Sequence, residues 1–185
     1  MEILDIYNEL KKQINPTNIK RNEPLHKYTF TNTGGEADIL VFPQSFQEVV
    51  DTVAFAKENG IPLTVLGNGS NLIIKDGGIR GIVVILTKMG GISVDGEQIT
   101  AQSGAPIIEV SNVALRHGLT GLEFACGIPG TTGGALYMNA GAYGGEVQQV
   151  LSEAKVIDET GAIRTLSEGD FDFGYRSSIF SKKQF

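Results

Sequence analysis

The sequence has no tryptophan, a single cysteine and only 2 histidines. One cysteine, Cys126, excludes an internal disulfide and fits a reducing compartment. With the histidines far from it and from each other, no metal-ligand cluster is spelled out. Positive charge is also short: 15 Lys and Arg against 21 Asp and Glu leave a formal net charge of −6. A nucleic-acid binder normally carries a basic face, so that class of partner is set aside. A phosphate-bearing small ligand is not, because backbone amides hold phosphate without net positive charge. No apolar run approaches the roughly 20 residues that cross a bilayer. The charged, amphipathic start MEILDIYNELKK does not read as a signal peptide. These absences point to a cytoplasmic protein without a membrane partner, and 185 residues suffice for one large domain or two small ones.

Glycine is what the chain has in excess: 24 residues, where average usage would give about 13. Seven of them fall between Gly127 and Gly145 in the stretch GIPGTTGGALYMNAGAYGGE. Glycine admits positive φ and close approach of the backbone to another object. Successive N–H groups in such a run can turn toward an anion or the polar edge of a flat ring. Ile128, Leu136 and Met138 are apolar, Pro129 is rigid and Thr131-Thr132 can cap a short helix, all unlike a flexible linker. A tightly packed structural loop at a sheet edge is the alternative.

The rest of the chain alternates helix and strand signals. Ile3, Tyr7, Leu10 and Ile14 share one helical stripe with Ile6 beside it, and Asn15-Pro16 ends it. Residues 17–29 read as a polar, irregular surface crossing. Residues 37–42 (ADILVF) form a buried strand, and Ser45 with Glu48 makes a capping box for a helix burying Phe46, Val49, Val50, Val53 and Ala54. Gly60 stops that helix and Leu63 to Leu66 is the next strand, giving a βαβ unit expected to be parallel and right-handed. It runs into Gly67-Asn68-Gly69-Ser70-Asn71, a second glycine loop.

A dinucleotide fingerprint needs a third glycine and a following helix, but Leu72-Ile73-Ile74 is strand-like and precedes the turn Asp76-Gly77-Gly78. The Rossmann reading fails, and without Gly-Lys-Ser/Thr so does a P-loop. What remains is an anion cradle of backbone amides with the Ser70 hydroxyl and the Asn68 and Asn71 side chains, or else a plain glycine-rich hairpin. Gly81 to Ile85 is a further buried strand. Ile92 to Val94 and Gln98 to Gln102 form a hairpin over Asp95-Gly96, so the pattern changes from βαβ to antiparallel near residue 90. Pro106 suits the first position of a helix burying Ile107, Val110 and Ala114, with Gly118 as its stop. Ala154 to Asp158 and Ile163 to Leu166 make another hairpin around Glu159-Thr160-Gly161. The aromatic-rich end holds Arg176, which on the residues alone stacks on Tyr175 or Phe173. His26 and His117 read as solvated or cap positions, and Cys126 as a small buried hydrophobe.

Four motifs in order, NTGGEAD (32–38), LGNGSNLI (66–73), the glycine stretch 127–146 and FGYRSSIF (173–180), resemble the UDP-N-acetylenolpyruvoylglucosamine reductase (MurB) family. The resemblance runs from Tyr28 to Phe180 and implies an α+β, α/β-containing, two-subdomain FAD-binding fold of the vanillyl-alcohol-oxidase (PCMH) type. It implies residues 1–30 as an N-terminal helix and connector, 31–90 as the first FAD-binding subdomain and 91–185 as the second. The first loop, Gly67, Asn68, Gly69, Ser70, Asn71 and Leu72, would hold the FAD pyrophosphate. The second, Gly127, Ile128, Gly130, Thr131, Thr132, Gly133, Gly134, Asn139 and Gly141, would line the isoalloxazine and the rest of the dinucleotide. Arg176 matches the family's catalytic arginine, and Tyr143 and Tyr175 its substrate contacts. The implied reaction reduces UDP-N-acetylglucosamine enolpyruvate with NADPH by way of FAD. Neither loop contains histidine, so the flavin is expected to be non-covalent. Members of the family are longer, and their proton-donating serine and second catalytic glutamate lie in a C-terminal substrate domain. The 185 residues are therefore expected to bind FAD without turning over.

Overall fold

The computed structural model describes residues 2–158 and 160–183, in two compact units. The first runs to Met89 and also takes in residues 160–162; the second runs from Gly90 to Asp158 and resumes at Ile163.

In the first unit the apolar stripe at the N-terminus forms α1 (Ile3–Gln13), with Ile6 and Leu10 buried. Asn15 ends it by accepting the Thr17 N–H at 3.1 Å, and Pro16 opens a 3₁₀ turn. The segment expected to be irregular instead contains strand β1 (Ile19–Pro24), antiparallel to β2 (Glu36–Val41) with Ile19 opposite Val41. Only Ile19 of β1 is fully buried while Lys20, Arg21 and Asn22 face solvent, so β1 lacks the alternation by which strands are recognised. Charged side chains are what an edge strand carries.

Helix α2 (Phe46–Glu58) begins at Ser45, whose hydroxyl accepts the Glu48 N–H at 3.2 Å. The expected capping box is only half made. Glu48's carboxylate accepts the Gln44 N–H at 2.7 Å and reaches Asn18 Nδ2 at 3.3 Å, which draws it toward the start of β1. The buried residues of α2 are Thr52, Phe55 and Ala56, while Phe46 is exposed and Val49, Val50, Val53 and Ala54 are half-buried. Thr52 is tolerated inside because its hydroxyl donates to the Glu48 carbonyl at 2.6 Å.

Strands β3 (Leu63–Leu66) and β4 (Ile79–Ile85) complete a mixed sheet in the order β1-β2-β4-β3, with β4 parallel to both neighbours. Period-two alternation loads both faces. Ile39, Val41, Ile82 and Val84 pack with Ile6, Leu10 and Phe55, while Leu40, Phe42, Val83 and Ile85 pack with Leu25, Leu66 and Ile74. The expected strand at Leu72–Ile74 is not formed: Ile74 is buried, but Ile73 faces solvent and the segment pairs with no strand.

The second unit opens with the hairpin β5 (Ile92–Asp95) and β6 (Gln98–Ala101), turned at Gly96 with φ +57. Helix α3 (Ile107–Arg116) buries Ile107, Val110 and Ala114. Pro106 stands one place before it in extended conformation (ψ 127) rather than at its first turn, and exposed His117 is the C-cap. A 3₁₀ turn, Glu123–Gly127, directs Phe124 and Ala125 inward. That leaves Cys126 exposed, not buried as its residue type suggests. Helix α4 (Thr132–Tyr137), the short hairpin β7 (Gly141–Ala142) with β8 (Gly145–Glu146), the hairpin β9 (Glu153–Ile157) with β10 (Ile163–Ser167), and α5 (Ile179–Lys182) follow. Glu159, in the turn expected between the last two strands, lies outside the described residues. The core of this unit is Ala105, Ile107, Val110, Phe124, Ala125, Ala135, Ala140 and Val147. No helix among the described residues is long and apolar enough to cross a membrane.

Candidate functional site

In the first unit β3 releases the chain into Gly67–Asn71. Among the described residues, none of these five amides donates a hydrogen bond within the protein, nor do the Asn68, Ser70 and Asn71 side chains have a partner. The loop's course is set by Gly69, at φ +68, where a Cβ would lie 2.3 Å from the Tyr28 carbonyl oxygen. From that side the Phe30 N–H donates to the Gly69 carbonyl at 3.2 Å. Thr29, buried, donates its hydroxyl to the Thr33 carbonyl at 2.8 Å, and Asn32 takes φ +52 to close the turn. A hollow of about 240 Å³ is lined by Lys27, Tyr28, Thr29, Phe30, Gly67, Asn68, Ile85 and Thr87. Leu72 packs half-buried on the adjoining core. Consecutive unpaired amides around a left-handed glycine make an anion-binding concavity.

Thr29 and Phe30 were not singled out by sequence. Their signal was the neighbouring motif at 32–38, whose Asn32 and glycines mark a tight turn. At the rim, Glu23 accepts hydrogen bonds from Tyr28 Oη at 2.7 Å, Lys20 Nζ at 3.1 Å and Lys27 Nζ at 3.3 Å. Burial by itself pushes the Glu23 carboxyl up, but these three donors outweigh it and hold its pKa below the usual value. The Lys20 ammonium is raised, first by its hydrogen bond to Tyr28 and then by Glu23.

The second unit uses glycine differently. Ile128 donates its N–H to Ala125, Gly130 to Ile128, Thr132 to Ala105 and Gly133 to Ser103, at 3.2, 2.9, 2.8 and 2.8 Å. The Gly134 N–H is taken by the Thr131 hydroxyl, which caps α4, at 3.3 Å. These five amides are not free to meet an anion. What glycine supplies here is proximity: a Cβ on Gly133 would sit 2.9 Å from Ser103 Cβ.

Beyond α4 two tight turns carry the remaining candidates. Ala142 pairs with Gly145, so Tyr143 and Gly144 form a two-residue turn with φ +54 and +86. Such turns favour Asn-Gly, yet here a tyrosine occupies the first position and is 92% exposed. Gly174 and Ser177 exchange both backbone bonds, at 2.9 and 3.1 Å, around Tyr175-Arg176. Tyr175 is 91% exposed and Arg176 holds φ +53. The expected stacking of Arg176 is absent. Phe173 packs on Phe171 at 5.4 Å, and among the described residues the guanidinium has no hydrogen bond, ion pair or ring contact. Non-glycine residues at positive φ are costly and concentrate at functional sites.

Asn139, Gly141, Tyr175 and Arg176 line one hollow of about 210 Å³ together with Ala142, Gly144, Gly145 and Glu146. Tyr143 tops the same hairpin without lining it, and residues 127–134 do not reach it. Glu146, Gly144 and Gly145 were not picked out by sequence, because nothing in the order of residues reveals which of seven glycines faces a hollow.

Comparison with known proteins gives four likenesses of note. Residues 37–167 match a family model described as FAD binding domain. UDP-N-acetylenolpyruvoylglucosamine reductase 2 of Bacillus cereus is 50% identical over all 185 residues, which cover 61% of that protein. The chain thus spans about three-fifths of the length of the curated relative it matches. The crystal structure of UDP-N-acetylenolpyruvylglucosamine reductase (MurB) from Thermus caldophilus superposes with a TM-score of 0.73 at 31% identity, over 86% of this chain and 56% of that one. Alkyldihydroxyacetonephosphate synthase superposes with a TM-score of 0.68 at 20% identity, over 90% of this chain and 38% of that one, a likeness of fold alone.

Proposed function

The chain belongs to the family of FAD-binding domains, with the α+β fold of the vanillyl-alcohol-oxidase type and not a Rossmann fold, and on that premise we propose that it is the flavin-bearing part of a UDP-N-acetylenolpyruvoylglucosamine reductase. The observation that carries the reading is the 50% identity to such a reductase along every residue of the chain. The residues fit the cofactor. Five unpaired amides at Gly67–Asn71 and the Ser70 hydroxyl match the acceptor oxygens of a pyrophosphate. Leu72 stands behind them. Gly127, Gly130, Gly133, Gly134 and Gly141, with Ile128 and Thr132 between them and Thr131 buried beneath, would leave little side chain in the way of a flat ring system and the rest of the dinucleotide. No histidine lies in either loop, which favours non-covalent attachment.

FAD, if bound, would supply hydride-transfer chemistry between NADPH and UDP-N-acetylglucosamine enolpyruvate, and a hydride plus one proton added across the enolpyruvyl double bond gives UDP-N-acetylmuramate. Arg176 meets the substrate's carboxylate with an uncommitted guanidinium and stabilises negative charge that builds beside it. Tyr143 and Tyr175 give the substrate two exposed aromatic walls. The reaction belongs to peptidoglycan precursor synthesis in the cytoplasm.

A second reading is a module that holds FAD and does no chemistry, which the open amides of Gly67–Asn71 would serve equally well. The test is to incubate the 185-residue chain with FAD, remove free flavin and record the spectrum. Flavin bands that leave on denaturation are expected, and a colourless protein would sink the proposal. NADPH oxidation dependent on the enolpyruvyl substrate then separates the two readings. The 185 residues alone are expected to show none, and a longer chain carrying the relatives' remaining length is expected to turn over. Inactivity of that longer chain leaves the binding module.

A further inference from the structure

Asn139 is 3% exposed and sits at φ +41, and its side chain bonds to two separate segments of the second unit, residues 146–148 and Gly174. Its Nδ2 donates to Glu146 Oε2 at 2.9 Å, in β8, and to the Gly174 carbonyl at 3.2 Å, at the foot of the Tyr175-Arg176 turn. Its Oδ1 accepts the Gln148 N–H at 3.0 Å. Gln148 Nε2 closes the set by donating to Glu146 Oε2 at 2.7 Å. Both donors of the amide are therefore committed inside the protein, as is its carbonyl. The same hairpin leaves no slack: a Cβ on Gly141 would lie 2.8 Å from Glu146 Cγ, and one on Gly145 would lie 2.7 Å from Phe124 Cβ.

We infer that Asn139 is a positioning residue that ties the Tyr143 hairpin to the Arg176 turn, and that it does not itself touch the flavin. The Gly174–Ser177 backbone pair closes the turn, but nothing among the described residues holds the Arg176 side chain. Its guanidinium is unpartnered and its backbone is in a left-handed conformation that a bulky residue adopts only when the surroundings over-determine it. Among the described residues, the Gly174 carbonyl is the one atom of that turn that receives a side-chain donor, and Asn139 supplies it. Asparagine is the residue for this place. It tolerates the left-handed region, and its flat amide offers two donors and an acceptor in one plane. Aspartate has no donor for the Gly174 carbonyl, and glycine has neither group. The meaning for catalysis rests on the proposed reductase reading, but the linkage does not.

The test uses amide hydrogen exchange by NMR on the whole chain, with FAD titrations alongside. Asn139→Gly keeps the left-handed backbone and deletes the side chain. It is expected to speed exchange about ten-fold at Gln148 and also at Gly174 and Ser177, whose amides Asn139 does not touch, while β5, β6 and α3 keep their protection. The double variant N139D/E146Q restores an acceptor for Gln148 and a donor from position 146, but nothing for Gly174. It is expected to rescue Gln148 and leave Gly174 and Ser177 fast. FAD affinity of Asn139→Gly is expected to stay within about two-fold, less than one lost neutral hydrogen bond. Unchanged exchange at Gly174 and Ser177 would overturn the inference. So would uniform acceleration through the unit, or a loss of FAD affinity of ten-fold or more, which would make Asn139 a direct ligand. Failure of the unmodified chain to take up FAD would defeat the reductase reading and leave the exchange pattern to judge Asn139.

Discussion

The two glycine loops look alike in sequence and do opposite things with their backbones. Gly67–Asn71 keeps five amides unpaired, whereas residues 128, 130 and 132–134 commit theirs to carbonyls and a hydroxyl of their own unit. In the first, glycine lets the chain bend so that donors stay open. In the second, it lets two pieces of backbone touch. A count of glycines therefore says that the main chain comes close to something, and the hydrogen-bond ledger says whether that something is a ligand or the protein itself.

The sharpest test of this contrast is Gly69→Ala. Its Cβ would meet the Tyr28 carbonyl oxygen at 2.3 Å, from a left-handed backbone. Together these are worth about 3 kcal/mol of destabilisation, read from urea unfolding, with FAD uptake lost. Gly133→Ala meets Ser103 Cβ at 2.9 Å with no φ penalty, so about 1–2 kcal/mol is expected. If Gly133→Ala abolished FAD uptake while leaving unfolding unchanged, the contrast would break.

Smaller effects separate the hydroxyls. Ser70 has no partner among the described residues, so Ser70→Ala should weaken FAD binding about five- to ten-fold, near 1 kcal/mol, with the urea midpoint unmoved. Thr131 caps α4 through its hydroxyl, so Thr131→Ala should lower stability by about 1 kcal/mol. The smallest effect concerns the rim of the first loop. Glu23's folded pKa lies below its ordinary 4.5, so its contribution to stability is complete above that value and is lost as pH falls through the folded pKa. Lys20 is the mirror case: raised above 10.5, its contribution is lost as pH rises through the folded value. Tyr28→Phe removes a donor to Glu23 and an acceptor for Lys20. Both limbs of the stability profile should flatten, by less than about 1 kcal/mol each, because the lysine partners of half-buried Glu23 are exposed to solvent.

The parts of the fold legible in sequence were those where burial imposes a period. The stripe of α1 and the inward face of α3 show it, and β2 and β4, buried on both faces, were legible instead as continuous apolar runs. Where a segment is held mostly by backbone pairing, composition says little, and β1, with Ile19 alone buried, was missed for that reason. Ile73 misled in the opposite direction, an apolar residue left in water beside a loop. The face of α2 was rotated because a threonine that satisfies its own hydroxyl packs as well as a valine. At the candidate site, residue types and motif order pointed to both loops and to Arg176. The left-handed backbone of Asn139, Tyr143 and Arg176 could not be read, since nothing local in Asn-Ala-Gly or Tyr-Arg-Ser demands it. Tertiary contacts impose it.

The charged strand that sequence alone did not reveal has a practical consequence for anyone shortening this protein. β1 covers the hydrogen-bonding flank of β2, whose residues Ala37 to Val41 are all buried. A version beginning after Pro24 would present that row of donors and acceptors bare, alongside the apolar seat vacated by α1. Such a ribbon recruits a matching ribbon from the next molecule, and insoluble material would be the harvest.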